Sequence, residues 1–555
     1  MWAVVLLALV PFSAVLCLPE LSTFQLGKAV LVGPLLAVLL IGGAGRGIWP
    51  GRLVLGAAIL VVLVGLGALL RSPSPGVGAW ELWLDLLFLG AMLAGARIGP
   101  PRRLFMGVAG AGGLLVTVTA LEMAGVGPLC PAAVAQAGTM GNPNFTGALL
   151  ALAAPACLAL ALGSRSRWRT AAWTGLILAS LASLAVLGSW TGAVGAGFGL
   201  SAVALHALTR RGRRRTALGL TLVILGVAGG ALTSPTVRDH LADRGYMARC
   251  AAGAAAERPL AGSGLGGFPR AFLEAQAELL EAHPEERGRW TRALHAHSEP
   301  LHALVERGIL GMLVWLALWG VILWSLLATR GRSPGRDLFP GLTGILVAGL
   351  ALSLGEFPGH LVPVQLTLGL AVGGMSAPTD SPASEPHPGS SRARVLVWLL
   401  AIPLFLVPPW LALSDRALTR GDPSTALEIN PWNGRAAFSV ALAEQDGLAP
   451  TGCTYALLAD RLLPSPASAM TLGLCAARSE HRNAGIAALR RAVRWNPRSA
   501  AAHGNLALLL VASGDKEGAR RHALRATSLR PGDPRIREIL DRVEAETAAS
   551  SADQR

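Results

Sequence analysis

The chain has 555 residues, of which 52% are hydrophobic and only 15% charged, and its mean hydropathy is +0.51. Soluble domains carry about 25% charged residues, so this composition excludes a soluble enzyme over most of the length. The net charge of +15 would suggest a nucleic-acid partner in a soluble protein. Here the arginines fall in short loops between apolar runs, so membrane topology explains them and we expect no nucleic acid.

Apolar runs long enough to cross a bilayer recur throughout residues 1–413. They predict an all-α, polytopic membrane domain of about 13 transmembrane helices. The first run lacks a basic start and a small-residue cleavage site, so it is predicted to be a retained span rather than a signal peptide. The spans are predicted near residues 2–19, 28–45, 53–70, 80–97, 104–124, 144–162, 170–187, 191–208, 216–234, 308–328, 338–355, 360–376 and 395–413.

Arginine is distributed unequally between alternate loops. The loops after even-numbered spans carry clusters such as "RRGRRR" at 210–215, whereas the short loops after odd-numbered spans carry almost none. By the positive-inside rule, the N-terminus and the even loops are cytoplasmic. The long loop 235–307 and everything after residue 413 are therefore predicted to be external.

Residues 414–555 are polar, rich in alanine and contain no span. Helix-ending prolines recur there at intervals of 33, 33 and 34 residues, namely Pro431, Pro464, Pro497 and Pro531. That period is typical of tetratricopeptide-like (TPR-like) helical hairpins, which stack into a concave surface that binds protein partners. A generic helical tail with chance proline spacing is the alternative, and the matching residues around each proline disfavour it.

The cysteines show no zinc-site spacing. Cys17 and Cys157 lie in predicted spans and are expected to be small apolar packing residues. Cys453 and Cys475 lie in the tail, where they could form a disulfide if the tail is outside the cytoplasm.

Two motifs resemble sites that we do not predict. "GSGLGG" at 262–267 fits a dinucleotide fingerprint, but it lies in a predicted external loop without flanking strands. It is interpreted as a tight turn before an amphipathic helix, 268–282. In "GTMGNPNF", Asn142 and Pro143 indicate a turn, and Asn144 is expected to cap the next helix.

The segment "HAHSEPLH" at 295–302 contains three histidines. Ser298 is predicted to cap the helix that runs into span ten, which places His297 at the outer interface. Three interpretations of this segment remain open at this point: a solvated helix start, a metal site and a proton-transfer site. No metal ligand is assigned, because the neighbouring sequence supplies no carboxylate or cysteine set that completes a coordination sphere. Histidine is suited to proton transfer near neutral pH.

Three segments in order, "GTMGNPNFTGALLAL", "RPLAGSGLGGF" and "HAHSEPLHALVERGILG", resemble the O-antigen ligase/O-antigen polymerase superfamily. The resemblance covers roughly residues 80–410, and members with a tetratricopeptide tail occur. It implies an inverting membrane glycosyltransferase that needs no metal or other cofactor. Such an enzyme transfers a glycan from undecaprenyl diphosphate to lipid A–core, a growing polysaccharide or a protein. It also implies a bacterial inner-membrane location with the repeats in the periplasm.

Carried over by motif, the resemblance makes His297 the catalytic residue that activates the acceptor hydroxyl. It implies that the donor diphosphate or glycan is bound by Arg249, Arg258, Asn142, Asn144 and Glu306. Arginines suit a diphosphate leaving group because guanidinium binds phosphate through two hydrogen bonds and stays charged.

The sequence departs from the family pattern at two positions. Ser298 stands where members usually have asparagine, and Trp190 stands where many have the arginine of a Ser-Arg pair. Arg71, at an external span end, is the substitute we predict for that arginine. The loss favours an alternative, a non-catalytic membrane scaffold of polysaccharide assembly that recruits partners through its repeats. A transporter is disfavoured because few charged residues lie inside the spans.

Overall fold

The computed structural model describes residues 2–43, 49–97, 101–126, 130, 138–210, 215–216, 219, 235–328, 339–376, 391–444, 450–478 and 481–552. All regular secondary structure in these residues is helical, which confirms the all-α class. Residues up to 419 form α1 Trp2–Val15, α2 Phe24–Gly42, α3 Arg52–Leu69, α4 Pro75–Gly95, α5 Pro101–Met123, α6 Pro143–Leu162, α7 Arg167–Val186, α8 Trp190–Arg210, α9 Pro235–Glu257, α10 Phe268–Ala282, α11 Glu299–Ala328, α12 Phe339–Gly355, α13 Val362–Ser376 and α14 Ser391–Thr419.

The tail continues with α15 Pro423–Ile429, α16 Gly434–Ala443, α17 Pro450–Leu462, α18 Pro466–Arg478, α19 Arg482–Trp495, α20 Ala500–Ala512, α21 Lys516–Leu529 and α22 Pro534–Ala552. Helices α15, α17, α19 and α21 end at residues 429, 462, 495 and 529, which are 33, 33 and 34 residues apart. Each end precedes one of the four prolines by two positions, because proline cannot continue a helix. The TPR-like helical repeat is therefore present in the chain itself.

Twelve of the 13 predicted spans coincide with a helix, and span 216–234 lies almost wholly outside the described residues. Within the described ranges, nine helices are long and apolar enough to cross a membrane: α2 to α8, α11 and α14. Helices α1, α12 and α13 are shorter, with 14, 17 and 15 residues. The structure therefore supports nine candidate spans rather than all 13.

Small residues let the apolar helices approach one another closely. A side chain on Gly95 of α4 would overlap the backbone of Leu370 in α13, and one on Gly33 of α2 would overlap the carbonyl oxygen of Leu404 in α14. Close packing of this kind is typical of helices in lipid, where the hydrophobic effect does not drive helices together and van der Waals contacts must do so. It builds one continuous core in which α6 is almost fully buried.

The loops predicted to be external contact one another at one end of the helix bundle. Arg71 donates a hydrogen bond to the carbonyl oxygen of Ala261, Ser22 donates to Asp415, and Cys17 forms a disulfide with Cys130. We call this end, formed by the loops 16–23, 70–74, 138–142, 187–190, 258–298 and 356–361 and by the tail, the external end. The expectation that Cys17 is an apolar packing residue was wrong, because the sequence does not show that Cys130 folds back onto it. Cys157 is buried in α6 and is not disulfide-bonded.

The tail packs directly on the long external loop. Leu273 and Ala277 of α10 form an apolar cluster with Ala469, Ala492, Trp495 and Ala502 of the repeats. The indole of Trp290 donates a hydrogen bond to the carbonyl oxygen of Trp495. Helix α14 crosses the predicted boundary at 413 without a break. Within the repeats, Cys453 and Cys475 form a disulfide, with Cα atoms 5.4 Å apart.

Candidate functional site

The glycine loop and the histidine-led helix interlock at the external end. Ser263 N and Gly264 N donate to the carbonyl oxygens of Val305 and Glu306 at 2.8 and 3.0 Å. Helix α11 is broken at Gly308, whose φ of 68° and contact with the Leu260 carbonyl leave no room for a side chain. The loop "GSGLGG" is therefore a packing element beside α11 that leads into α10, whose bounds 268–282 match the prediction.

His297 lies at the centre of a polar network. Its Nδ1 is 2.9 Å from Glu356 Oε2, while Glu356 Oε1 accepts hydrogen bonds from Arg244 Nη2 at 2.5 Å and from Thr191 Oγ1 at 3.3 Å. Glu356 is buried, whereas the side chains of His297 and Arg244 remain 24% and 29% exposed. A buried carboxylate thus orients a partly accessible imidazole and a partly accessible guanidinium.

The backbone of His297 has a φ of 50°, the only positive φ of a non-glycine residue in the described part of the chain. Such conformations cost energy and are retained where the surrounding contacts determine them, often at functional sites. Because a carboxylate only accepts, the proton on His297 lies on Nδ1 and the ring's Nε2 is left as a base. This arrangement is that of a general base held by a carboxylate.

The G-N-P-N segment reaches the site through aromatic contacts. Phe357 follows Glu356, and its ring lies 4.8 Å from the His297 ring and 5.5 Å from the Phe145 ring, between centroids. Asn142 Oδ1 accepts a hydrogen bond from Asn144 N and caps α6. The expected cap was Asn144; the true cap is Asn142, because the helix begins at Pro143, two residues earlier than a helix capped by Asn144 would.

The other predicted binding residues lie in different surroundings. Arg249 forms an ion pair with Glu286 at 2.7 Å, and this hydrogen bond raises the pKa of Arg249 and lowers that of Glu286. Arg258 is exposed at the end of α9. Arg71 donates to the carbonyl oxygens of Gly67 and Ala261, so it supports the glycine loop.

Glu306 is buried and accepts a hydrogen bond from Phe268 N at 3.1 Å. Its carboxylate therefore joins α11 to the start of α10 and does not face the surface. The structure thus brings only His297, from the predicted set, into the network around Glu356.

Arg244 lies in the long external loop but does not belong to the binding residues that the resemblance implies. Arg244 of α9 and Thr191, in the first turn of α8, both donate to Oε1 of Glu356. Glu356 thus brings a guanidinium close to the start of α8, where Trp190 stands in place of the arginine of the resembled superfamily. Arg244, rather than Arg71, lies next to His297.

A second cluster lies beside this network, at the external end of the candidate membrane helices. His295, His302 and His360 offer nitrogens that all lie within 4.8 Å of one another. Two carboxylates approach His360: Glu81 Oε2 is 2.8 Å from its Nε2, and Glu299 Oε1 is 3.5 Å from its Nδ1. His360 and Glu81 were missed because they come from the turn Pro358–His360 and from α4, far from the segment 295–302 in sequence.

Burial and charge act in opposite directions on two of these imidazoles. Burial lowers the pKa of His295 well below its ordinary value, and the neighbouring histidines lower it further. Burial also acts to lower the pKa of His360, but Glu81 and Glu299 outweigh it and raise that pKa well above its ordinary value. The position of His360 therefore favours a positive charge. A cavity of about 90 Å³ opens beside the cluster towards Asp85 and Arg307, which form an ion pair at 2.9 Å.

No protein-family model matches the chain, and no curated protein matches it. The similar solved structures include three that contain TPR-repeat proteins. The TPR domain of P58(IPK) is 11% identical with a TM-score of 0.21, over 79% of this chain and 95% of that one. The APC/C hetero-tetramer Cut9–Hcn1 is 14% identical with a TM-score of 0.22, over 86% and 98%. Yeast Tom70 is 12% identical with a TM-score of 0.22, over 74% and 90%.

These TM-scores are too low for any conclusion about this chain. The repeat assignment rests on the helix ends given above, and the resemblance to the ligase and polymerase superfamily rests on the three motifs.

Proposed function

We propose that this protein is a membrane glycosyltransferase that passes a glycan from an undecaprenyl-diphosphate carrier to an acceptor hydroxyl on lipid A–core, a growing polysaccharide or a protein. The observation that carries the proposal is the contact between His297 Nδ1 and the buried carboxylate of Glu356, which is also paired with Arg244. A scaffold would have no need for an oriented, partly exposed imidazole in a strained backbone conformation.

The reaction needs one base and one stabiliser of negative charge. His297 Nε2 takes the proton of the acceptor hydroxyl, whose oxygen attacks the anomeric carbon of the glycan. The bond from that carbon to the diphosphate oxygen breaks, and the lipid diphosphate leaves with the electron pair. Attack from the face opposite the leaving group gives inversion. Arg244 stabilises the departing diphosphate, since a guanidinium remains charged in any surroundings. No step uses a metal ion.

The orientation we propose has the external end in an oxidising compartment, the periplasm of a bacterium, and the N-terminus in the cytoplasm. Both disulfides support it, because Cys17–Cys130 and Cys453–Cys475 lie on the side to which the arginine distribution assigns the external loops. The acceptor and a protein partner would then meet the enzyme on the same side as the repeats.

The test is glycan transfer by membranes that contain the full chain, with an undecaprenyl-diphosphate glycan as donor. We expect His297→Ala to abolish transfer, and His283→Ala to leave it unchanged. His283 is a matched control, because it lies in the same loop but is half exposed and its imidazole contacts Glu285. Full transfer by correctly inserted His297→Ala protein would refute the assignment.

The same variant separates an enzyme from a scaffold better than a tail deletion does. Removing residues 414–555 would expose Leu273 and Ala277 of α10, so a lost phenotype could follow from misfolding alone. His297→Ala leaves the repeats and their contact with α10 intact. A scaffold would keep its full function in that variant, whereas a transferase would not.

A further inference from the structure

The cluster of His295, His302 and His360 has features that the transfer reaction does not use. His302 and His360 are 94% and 92% buried, as their exposed fractions are 6% and 8%. The three rings pack against one another, with centroids 4.3 to 5.5 Å apart. Three adjacent imidazoles cannot all be protonated at once without strong repulsion.

Several nitrogens in this cluster have no hydrogen-bond partner among the residues that the structure describes. They are Nδ1 of His295, both ring nitrogens of His302, and Nδ1 of His360. A buried polar atom without a partner costs about 1–3 kcal/mol, so native structures rarely keep several in one place. All three rings present such an atom towards the same small volume.

The charges around the cluster are also unbalanced. Glu81, Glu299 and Glu306 each come within 3.6 Å of a histidine nitrogen. The neighbouring guanidinium, Arg307, is already paired with Asp85. In a site with little water, three carboxylates around three imidazoles favour a bound cation.

We propose that His295, His302 and His360 bind a divalent transition-metal ion of the zinc class. Imidazole nitrogens are the preferred ligands of such ions. The fourth donor of a tetrahedron would be a water molecule or Glu299, whose Oε1 lies 3.5 Å from His360 Nδ1. Glu81 bonds to Nε2 of His360 and so leaves Nδ1 for the metal, which is the usual carboxylate–histidine–metal arrangement.

Small side-chain movements would complete this geometry. A metal–nitrogen distance of about 2.05 Å in a tetrahedron places the nitrogens about 3.4 Å apart. The present separations of up to 4.8 Å must therefore shorten by about 1.4 Å at most, which rotation of the rings provides. The metal would connect the segment before α11 to the turn 358–360. These two segments adjoin His297 and Glu356, so the metal would help to fix the distance between those two residues. The ion takes no part in the transfer step.

The test measures metal content and needs no glycan substrate, so it is independent of the proposed transfer. The full chain, purified in detergent, is loaded with Zn²⁺, freed of excess ion and measured by mass spectrometry of the elements. We expect about one ion per chain. His302→Ala and His360→Ala should each fall below about 0.2 ion per chain, because two histidine ligands bind zinc weakly. His283→Ala, which removes an exposed histidine of the same loop, should retain the wild-type content.

Two further measurements keep the test decisive if a histidine variant aggregates. Glu81→Gln keeps the shape of the site and should weaken zinc binding 10–100-fold, as loss of such a carboxylate does elsewhere. Co²⁺ should give the visible absorption of a tetrahedral site in the wild-type chain and none in His302→Ala. The proposal is overturned if folded wild-type protein retains no zinc, or if the histidine variants and Glu81→Gln bind zinc as the wild type does.

Discussion

Replacement of Glu356 by glutamine tests the catalytic network most directly, because it keeps the size of the side chain and removes its charge. The carboxylate accepts from His297 Nδ1 at 2.9 Å and from Arg244 at 2.5 Å. The glutamine oxygen will bond to Arg244, which can only donate. Its amide group then faces His297 Nδ1 and donates to it, so the ring proton moves to Nε2 and the base is lost.

The magnitude follows from the tautomer. Loss of a general base lowers rates by about 10²–10⁴-fold, and a comparable carboxylate-to-amide change beside a catalytic histidine costs about 10⁴-fold. We therefore expect Glu356→Gln to lower the rate of transfer by 10²–10⁴-fold, or about 3–5 kcal/mol of transition-state stabilisation. The Michaelis constant for the donor should change little, because Arg244 keeps a bonded partner.

The assay is the initial rate of glycan transfer from the lipid-linked donor, in membranes with equal amounts of inserted protein. Glu286→Gln is the matched control, since it also removes a carboxylate from an arginine, Arg249, in the same external loop. Arg249 is half exposed and, among the described residues, the pair forms no hydrogen bond or ion pair with His297 or Glu356, so its loss should change the rate less than about twofold. A Glu356→Gln enzyme within threefold of the wild-type rate would refute the role of the network.

Three other predictions follow. Gly308→Ala should destabilise the protein by about 1–3 kcal/mol, measured as a lower thermal unfolding midpoint, whereas Gly320→Ala in the same helix has open space and should not. Burial lowers the pKa of His503 to about 4, below its unfolded value of about 6.5. The repeats should therefore be fully stable above pH 6.5 and lose about 3 kcal/mol as the pH falls to 4. Hydrogen exchange of α20 and α21 should show a larger loss in the wild type than in His503→Gln, in which His522, whose pKa burial also lowers, still contributes. Mass spectrometry of non-reduced peptides should find Cys17 joined to Cys130 and Cys453 joined to Cys475.

Features that depend on local pattern could be predicted from the sequence. Twelve of the apolar runs form helices near the expected places. In an apolar medium the backbone N–H and C=O groups must pair with one another, and a helix achieves this within a single segment. The repeat could be read from proline because its effect on a helix is local. Helix 268–282 could be predicted because its apolar and polar residues fall on opposite faces of a helix, and the structure confirms both of its ends.

The partners of His297 could not be found in this way. Glu356 is 59 positions away and follows a different span, so only the packing of α12 against α8 brings it to the site. The sequence feature that could have indicated Glu356 is a charged residue in the short loop "GEFPGHLVP", since charged residues next to apolar spans are often functional. His360 lies in the same loop, and no local pattern indicates that it joins His295 and His302.

The tail supports the segment that carries His297, the proposed base. Gln276 of α10 exchanges two hydrogen bonds with the backbone of Thr291, and the adjacent Trp290 bonds to Trp495 of the repeats. His297 follows Thr291 by six residues and adopts a positive φ, a conformation that persists where the surrounding structure holds it. A partner that displaced the repeats from α10 would break the bond between Trp290 and Trp495, and would so remove one of the contacts that hold this segment.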